Sequence, residues 1–423
     1  MKIFDLDKWH EIYFALKKNP LRTFFTAFGV FWGIFMLIIM MGAGEGLYNG
    51  ATHDMGGMAT NSIFMWTQNT SMPYKGFQRG RYYRFNNDDT QALIDNIPEL
   101  DVIAPRLQGW GGEGNNNVVR GERTGGYNIQ GDYPAINLID PVDITSGRFI
   151  NENDIAEKRK VAVLGIRVIN DLFDANEDPL GEYIQIQGVY FQVIGVFKSK
   201  KGDQQAEWDN KAIFIPFTTL QKVYNYGDMV GWYSMTAKKE YTASVVEEKA
   251  KDLLKERHSI HPDDDRAVGS FNLEKEWSKM TNLFTGIRAL VWIVGIGTLL
   301  AGVIGVSNIM LIVVKERTKE IGVQRAIGAT PINIVSQIII ESVLLTSFAG
   351  YFGLALGVGL LELINYILVS SGAQSNMFNN PEVDFNKAMT ALVILVISGI
   401  FAGMIPARRA VSIKPIDALR DEI

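Results

Sequence analysis

The sequence predicts an α-helical membrane protein in which four transmembrane helices carry a large α+β domain outside the membrane. The first observation is a set of long uncharged runs, of which Thr23–Gly44 would span about 33 Å as a helix. The second is the polar stretch 45–285, which contains short runs of alternating polar and apolar residues typical of half-buried strands. The third is the distribution of lysine and arginine, which concentrate in three of the short segments that flank the runs.

These observations divide the chain into membrane, outer and cytoplasmic segments. In order they are a cytoplasmic interfacial helix (1–22), transmembrane helix 1 (23–44), an extracytoplasmic domain (45–285), a stalk with transmembrane helix 2 (286–314), a cytoplasmic elbow (315–333), transmembrane helix 3 (334–369), an outer loop (370–387), transmembrane helix 4 (388–407) and a cytoplasmic tail (408–423). Lysine and arginine number five in the first segment and four each in the elbow and tail, against one in the outer loop. The positive-inside rule therefore predicts that both termini and the elbow are cytoplasmic.

Composition and motifs argue against several classes of function. A chain of 423 residues exceeds one ordinary domain, and a net charge of −5 offers no electrostatic case for nucleic acid. The absence of cysteine excludes disulfides. The first uncharged run is too long for a cleavable signal peptide. The sequence has no Gly-Lys dipeptide and hence no P-loop, and it has no nucleophile elbow or zinc helix motif. We therefore expect no enzyme activity and no cofactor, and we interpret the outer domain as a binding or mechanical module.

One cluster invites comparison with a metal site. His258 and His261 form a His-x-x-His pattern close to the carboxylates of Asp263, Asp264 and Asp265. Pro262 interrupts any helix that would place both imidazoles on one face, and a run of aspartates is typical of a solvated loop. The sequence therefore favours a surface loop over a metal centre.

The elbow has the sequence of a short charged helix followed by a turn, KERTKEIGVQRAIGATPINI at 315–334. Spacings of three residues predict ion pairs between Glu316 and Lys319 and between Arg317 and Glu320. Ile321, Ala326 and Ile327 give the helix a weak apolar side. The predicted function of such an elbow is to transmit force from a partner at the membrane face.

The end of the elbow contains a helix stop and a helix start. Gly328 can adopt the left-handed conformation that ends a helix. Thr330 is the predicted N-cap of the next helix, with Pro331 at its first position. The elbow is therefore predicted to be rigid.

Small and polar residues mark predicted contacts inside the membrane. Gly29 and Gly33 are four residues apart, as are Gly297, Ala301 and Gly305, and such spacing permits close helix packing, including a dimer seam for the second set. Glu341 lies about two turns into the third span, where a carboxylate is costly and normally faces protein. It could act as a proton relay, but we expect a hydrogen bond within the bundle.

Several strings resemble the FtsX-like permeases, the membrane subunits of MacB-type and lipoprotein-releasing ABC transporters. They are KERTKEIGVQRAIGAT in the elbow, ALKKNPLRTFFTAFGVFWGI before the first span, IPARRAVSIKPIDALRDE at the C-terminus and, in the outer domain, Gly147 to Phe149, Val161 to Gly165 and Val193 to Val196. The resemblance implies an outer domain of two lobes, one inserted at about 115–220 and one split between about 46–114 and 221–275.

The resemblance also implies partners and site residues. The elbow would be the coupling helix that docks on a separate ABC ATPase subunit in the bacterial inner membrane. Its implied contact residues are Glu316, Arg317, Glu320, Ile321, Gly322, Arg325, Ala326, Ile327, Gly328 and Ala329. A homodimer or heterodimer of permeases is implied, and a periplasmic adaptor and an outer-membrane channel are further candidate partners, besides membrane lipid.

The sequence-based hypothesis is therefore a permease subunit that couples ATP hydrolysis on another subunit to movement of the outer domain, driving export of a drug, peptide or similar substrate. Two alternatives share the same core. One is a lipoprotein-releasing permease, and the other is an FtsX-like regulator of cell-wall hydrolases, against which the large outer domain counts. An outer-domain enzyme or sensor would need a catalytic or signalling motif that the sequence lacks.

Overall fold

The computed structural model describes residues 20–53, 57–109, 117–175, 177–370, 378–383 and 385–413. Most of the predicted interfacial helix at 1–22, most of the tail at 408–423 and part of the outer loop at 370–387 lie outside these residues. The chain divides into two compact units. The helical unit comprises Met1–Ala51 with Leu283–Ile423, and the sheet unit comprises Thr52–Asn282.

The described residues form the following helices and strands. In chain order they are α1 (Pro20–His53), β1 (Ser62–Thr67), β2 (Phe85–Asn86), α2 (Asn87–Asn96), β3 (Leu100–Gln108), β4 (Val118–Arg120), β5 (Arg123–Gly125), β6 (Asn128–Asp132), α3 (Ile136–Ile139), β7 (Val142–Gly147), α4 (Glu152–Ala156), β8 (Val161–Gly165), α5 (Ile166–Leu172), β9 (Tyr183–Ile186), β10 (Val189–Ser199), α6 (Asp203–Asp209), β11 (Ala212–Pro216), α7 (Phe217–Val223), β12 (Met229–Val230), β13 (Trp232–Ala237), α8 (Ala243–Arg257), β14 (Val268–Asn272), α9 (Leu273–Glu316), α10 (Thr318–Ala326), α11 (Pro331–Ser370) and α12 (Phe385–Val411).

Within the described residues, four helices are long and apolar enough to cross a membrane: α1, α9, α11 and α12. This is the predicted number of spans. The helix α9 has 44 residues and α11 has 40, so each is longer than a bilayer requires. The sequence also predicted that the second and third spans would extend beyond the hydrocarbon core.

The helices α11 and α12 pack closely, and two glycines of α12 face α11. A Cβ atom placed on Gly399 would lie 2.9 Å from the Cα of Val343, and one on Gly403 would lie 2.9 Å from the Oγ of Ser342. Neither distance leaves room for a side chain. The backbones therefore approach to a separation that larger residues would prevent.

The fourth span differs from the prediction at its C-terminal end. We expected it to end at Pro406 and Ala407, but α12 continues through Pro406 to Val411. A proline inside a helix removes one hydrogen bond, to the carbonyl of Ala402, without forcing the chain to leave the helix. Membrane helices tolerate this loss because neighbouring groups can satisfy the freed carbonyl.

The sheet unit is built on a twelve-stranded sheet. The strand order is β14-β1-β13-β3-β6-β11-β8-β10-β9-β4-β5, with β7 paired to β10. Two pairs, β10 with β8 and β11 with β6, are parallel, and the others are antiparallel. A separate two-stranded ladder joins β12 to β2.

The strand β3 joins two halves of this sheet. Its first part, Leu100 to Arg106, pairs with β13, and its last two residues, Leu107 and Gln108, pair with β6. All strands from β4 to β11 lie on the β6 side, while β1, β13 and β14 lie on the other side. The strands between residues 118 and 216 therefore lie together on one side of β3. The sheet is nevertheless continuous across β3, and the unit has one large apolar core.

Local sequence explains most helix positions in this unit. Helical spacing in the sequence predicts a helix at 245–257 with Val246, Ala250, Leu253 and Leu254 on its inner side. This helix is α8, in which Val246, Ala250 and Leu254 are buried and Leu253 is half-buried. For a helix at 87–97 the sequence predicts Asp88 as the cap, and this prediction is wrong because the N-cap of α2 is Asn86. The Asn86 side chain accepts from the Asp89 backbone N–H at 2.9 Å, and the Asp89 carboxylate accepts from the Asn86 N–H at 3.0 Å. A cap needs extended backbone, which Asn86 has, whereas Asp88 is already helical.

Candidate functional site

The elbow is a short helix, α10, held between a bend and a stop. The bend is Arg317, whose backbone (φ −96°, ψ 16°) separates the end of α9 from α10. The stop is a pair of hydrogen bonds in which the N–H of Gly328 donates to the carbonyl of Arg325 and the N–H of Ala329 donates to the carbonyl of Gln324. Gly328 has φ +105°, as predicted, and this bonding pattern is the Schellman motif. The helix α11 then begins at Pro331, also as predicted.

Arg317 connects the elbow to the third span. Its guanidinium binds the Glu320 carboxylate through two hydrogen bonds of 2.9 and 3.0 Å, which confirms the predicted pair. The same guanidinium lies 3.5 Å from the carboxylate of Glu341 on α11. Glu341 is only 3% exposed. The expected hydrogen bond of Glu341 within the bundle is therefore present, and its donor is Arg317, which the resemblance implies to be an ATPase contact.

Arg325 connects the elbow to the fourth span. Its Nη1 donates to the carbonyl of Val411 at 2.6 Å and to the carbonyl of Ile413 at 2.5 Å. Val411 is the last residue of α12, so its carbonyl has no partner inside that helix. A cation at the C-terminal end of a helix also interacts favourably with the helix dipole. The sequence contained no signal for this contact because 86 residues separate Arg325 from Val411.

The apolar residues of α10 lie on opposite sides of the helix. Ile321 is buried in a cluster with Val314, Ile334 and Ile338, and the neighbouring Gly322 is buried too. Ile327 is 82% exposed. The predicted single apolar side containing Ile321, Ala326 and Ile327 is therefore wrong, since Ile321 faces the bundle.

The outward face of the elbow carries the remaining predicted contact residues. Glu316, Glu320, Ala326, Ile327 and Gly328 are exposed, and Ala329 is half-buried. Sequence reasoning missed two further exposed apolar side chains on this part of the chain, Val323 and Ile332. Large exposed apolar residues at the end of a charged segment are a feature of protein interaction surfaces.

The small residues of the membrane helices contribute unequally to packing. A Cβ added to Gly29 would lie 3.6 Å from the Cα of Gly302, and one added to Gly33 would lie 3.5 Å from the backbone of Thr298 and Leu299. Among the described residues, no heavy atom lies within 4 Å of a Cβ added to Gly297 or Gly305, and Ala301 is exposed. The helix α9 therefore contacts α1 through Gly302, and its predicted stripe faces away from the rest of this chain.

We therefore expect different effects on stability from substitution of Gly302 and of Gly305 in α9. Gly302→Ile should destabilise the helical unit by about 2 kcal/mol, because its Cβ would lie 3.2 Å from the backbone of Gly29 and Val30 and the larger atoms would force α1 away. Gly305→Ile should leave stability nearly unchanged. Thermal unfolding of the purified protein in detergent compares the two, and an equal loss from both would contradict the packing described here.

In the histidine and aspartate cluster, His258 and Asp264 bind other residues of the sheet unit. The Nε2 of His258 lies 2.7 Å from the Asp89 carboxylate, which also accepts from the Nε of Arg257 at 2.7 Å. Burial raises the pKa of Asp89, but hydrogen bonds from His258 and Arg257 outweigh it and hold that pKa below its ordinary value. Asp264 is fully buried and binds a neighbouring loop. In the part of the chain that the structure describes, no group of three or more histidines or carboxylates could hold a metal ion.

The carboxylate of Glu247 binds the first turn of α9 to the sheet. Glu247 of α8 accepts hydrogen bonds from Lys251, Ser270, Asn272 and Lys275. Burial raises the pKa of Glu247, yet these four donors lower it to about 2. The carboxylate is therefore charged at neutral pH and fixes the first turn of α9 to β14 and α8.

Two family profiles match most of the chain. A profile of the MacB-like periplasmic core domain matches residues 23–253, and one of the FtsX-like permease C-terminal region matches residues 292–415. Fold and matches define a polytopic permease with a large outer domain. The chain belongs to the FtsX-like permease family that carries a MacB-like periplasmic core domain.

Relatives with described functions match almost the whole chain. It is 28% identical over 415 residues to the macrolide export ATP-binding/permease protein MacB of Vibrio parahaemolyticus, covering 96% of this chain and 58% of that one. It is 30% identical over 410 residues to the pyoverdine export ATP-binding/permease protein PvdT of Pseudomonas savastanoi, again covering 96% and 58%. The chain thus spans less than two thirds of the length of these relatives.

Among solved structures, the periplasmic region of MacB from Actinobacillus actinomycetemcomitans is similar to part of the chain. The match has 20% identity and a TM-score of 0.42, and it covers 54% of this chain and 96% of that one.

Proposed function

We propose that this chain is the membrane subunit of an ABC exporter and that its elbow receives force from an ATPase subunit. The observation that carries the proposal is the two-sided construction of α10. Arg317 and Arg325 fix its inner side to α11 and α12, while Ile327 leaves an exposed apolar residue on the outer side. An element that is rigidly attached on one side and uncovered on the other suits the transfer of force from a partner.

The exposed face fits a protein partner with mixed chemistry. Ile327 and Val323 supply apolar surface, and Glu316 and Glu320 supply charge at its edge. An apolar centre with a polar rim is the usual composition of a protein interface. In this proposal the ATPase contacts Ile327 and Ala326 directly, and Arg317 and Arg325 act behind the interface by positioning α10.

The route of force follows the anchors of the elbow. A push on α10 displaces α11 through the Arg317–Glu341 contact and displaces α9 through the peptide chain at Arg317. The helix α9 contains no proline and extends without interruption to Leu273, a residue of the sheet unit. ATP-driven movement of the elbow would therefore reach the outer domain along α9.

The remaining features of the proposal concern sidedness and assembly. Both termini and the elbow are placed in the cytoplasm, the sheet unit is placed outside the bacterial inner membrane, and its inserted lobe corresponds to the strands from β4 to β11. The outward stripe of Gly297, Ala301 and Gly305 is proposed as a seam between two copies or two related permeases. Loss of self-association in Gly305→Ile, with unchanged folding, would support that seam.

The proposed class of substrate is taken from the names of the relatives. The names of the two relatives given above refer to macrolide export and pyoverdine export, so we place a drug, a peptide or a similar molecule as the exported substrate. Neither relative is named for lipoprotein release or for control of cell-wall hydrolysis. Export is therefore the proposed activity, with a periplasmic adaptor and an outer-membrane channel as candidate partners.

Single-cysteine labelling tests the proposal directly because the chain has no cysteine of its own. In intact cells, an impermeant maleimide should fail to label Ile327→Cys and should label Tyr190→Cys, an exposed position of the sheet unit. In inverted vesicles the pattern should reverse, and a bifunctional cross-linker at position 327 should capture an ABC ATPase. Labelling of position 327 from outside the cell, or absence of ATPase from its adducts, would refute the docking role.

A further inference from the structure

The sheet unit carries a compact hairpin between β1 and β2 that the proposed mechanism does not use. We call residues 70–84 the basic hairpin. Thr70 and Arg81 are joined by a backbone hydrogen bond of 3.1 Å, and Gly80 donates to the carbonyl of Thr70 at 2.6 Å. At the tip, Tyr74 and Phe77 exchange hydrogen bonds of 3.1 and 2.9 Å. Lys75 and Gly76 form the turn with φ +46° and +85°, the positive values that a tight hairpin turn requires.

Buried contacts hold the basic hairpin in one conformation. The carboxylate of Asp264 accepts from the N–H and the hydroxyl of Ser71, both at 2.7 Å, and from the N–H of Met72 at 3.1 Å. The guanidinium of Arg81 donates to the carbonyls of His258 and Ser259, the latter at 3.2 Å. It also lies over the Phe77 ring, 4.1 Å from the centroid. A surface that is already ordered loses little entropy when a partner binds.

The outer face of the basic hairpin combines apolar and cationic side chains. Phe77 is 47% exposed and Tyr82 is 62% exposed, and Lys75, Arg79 and Arg84 are exposed beside them. The sequence from 55 to 87 contains no aspartate or glutamate, although the chain as a whole has a net charge of −5. The hairpin therefore carries positive charge and no negative charge of its own, although the loop that holds it contains the exposed Asp263 and Asp265. The cations of the hairpin favour an acidic partner.

The basic hairpin extends from one end of a strand pair in the sheet. It follows β1 at Thr67, which pairs with Val268 at the start of β14. The other end of the pair is formed by Ser62 and by Asn272, which pairs with Ile63. The hairpin is therefore built on regular structure and presents an ordered surface. An ordered surface of fixed shape favours a protein partner over fluid membrane lipid.

We propose that the basic hairpin is a docking surface for a second protein outside the membrane, one that presents acidic side chains around an apolar pocket. Phe77 would enter the pocket, and Lys75, Arg79 and Arg84 would pair with the surrounding carboxylates. Aromatic and arginine side chains together are the usual composition of the energetically dominant part of an interface. The inference rests on the proposed placement of the sheet unit outside the membrane.

Photo-cross-linking of the full-length chain in cells tests this surface. The probe is Phe77→p-benzoylphenylalanine, and the control is Tyr190→p-benzoylphenylalanine, at another exposed aromatic residue of the same unit. The expected product at position 77 contains a protein segment rich in aspartate and glutamate. Products containing only polysaccharide or lipid, a captured segment without acidic residues, or the same product from both positions would overturn the proposal.

Charge reversal supplies the second arm of the test. Arg79→Glu with Arg84→Glu should reduce the cross-link at position 77 about tenfold, while Lys198→Glu with Lys239→Glu makes the same change of net charge elsewhere and should have no effect. Exchange of the captured acids for lysine should restore the product. Equal losses from both pairs, or failure of that exchange, would refute the pairing. All four side chains are exposed, so thermal unfolding should be unchanged.

A failure of this inference can be distinguished from a failure of the proposed function. Labelling of Ile327→Cys and its cross-link to the ATPase are measured in the same cells that carry the hairpin variants. Loss of the product at position 77 with intact ATPase capture rejects only the docking surface. Labelling of position 190 from the cytoplasmic side would instead reject the placement on which both rest.

Discussion

Replacement of Ile327 by glutamate is expected to separate ATP hydrolysis from export. The side chain is 82% exposed at the outward end of α10, so the folded chain should tolerate the charge. A central apolar residue of an interface is commonly worth about 2 kcal/mol, and the substitution should therefore weaken association with the ATPase by about 30-fold. Co-purification of the ATPase from detergent-solubilised membranes measures the association, and export of substrate from cells should fall in parallel.

Two matched variants define the control for this experiment. Ile327→Leu keeps an apolar side chain and should retain both association and export. Ile94→Glu places the same charge on another exposed isoleucine, in α2 of the sheet unit, and should not affect the ATPase. Wild-type association in Ile327→Glu, or an equal loss in Ile94→Glu, would show that the elbow surface is not the docking site.

Removal of Arg317 should have the second large effect, on stability. Arg317→Met leaves the buried carboxylate of Glu341 without its cationic partner, and breaking a buried pair from one side costs about 3 kcal/mol. Replacement of both partners by methionine should recover most of this loss because no buried charge remains. Unfolding in mixed micelles with increasing denaturing detergent gives the free energies for the two single variants and the double variant.

Glu320 provides an internal comparison for that cycle. It binds the same guanidinium, but its carboxylate is exposed, so Glu320→Gln should cost less than about 1 kcal/mol. If Arg317→Met were no less stable than the double variant, or no less stable than Glu320→Gln, then Glu341 would not depend on Arg317 and the proposed route through α11 would lose its basis.

The parts of this structure that were predicted correctly depend on short-range rules. Uncharged runs identified α1, α9, α11 and α12, and helical spacing identified the buried side of α8. The stop at Gly328 followed from the conformations open to glycine, and the start at Pro331 followed from the missing N–H of proline.

The parts that were missed depend on where distant segments meet. The resemblance implies that Arg317 and Arg325 contact the ATPase, but their partners in this structure are Glu341 and the carbonyl of Val411, which follow 24 and 86 residues later. The spacing of Gly297, Ala301 and Gly305 was real, but spacing does not state which face meets α1. The contact uses Gly302, which lies outside that stripe.

Pro406 gives the two anchors of the elbow different mechanical properties. It lies inside α12 five residues before Val411, whose carbonyl Arg325 holds, and it leaves the carbonyl of Ala402 without a helical donor. The final turn of α12 is therefore less firmly connected to the rest of that helix. The corresponding part of α11, between Pro331 and Glu341, contains no proline after its first residue. If the elbow is displaced, we therefore expect α11 to move with it as a rigid helix and α12 to bend at Pro406.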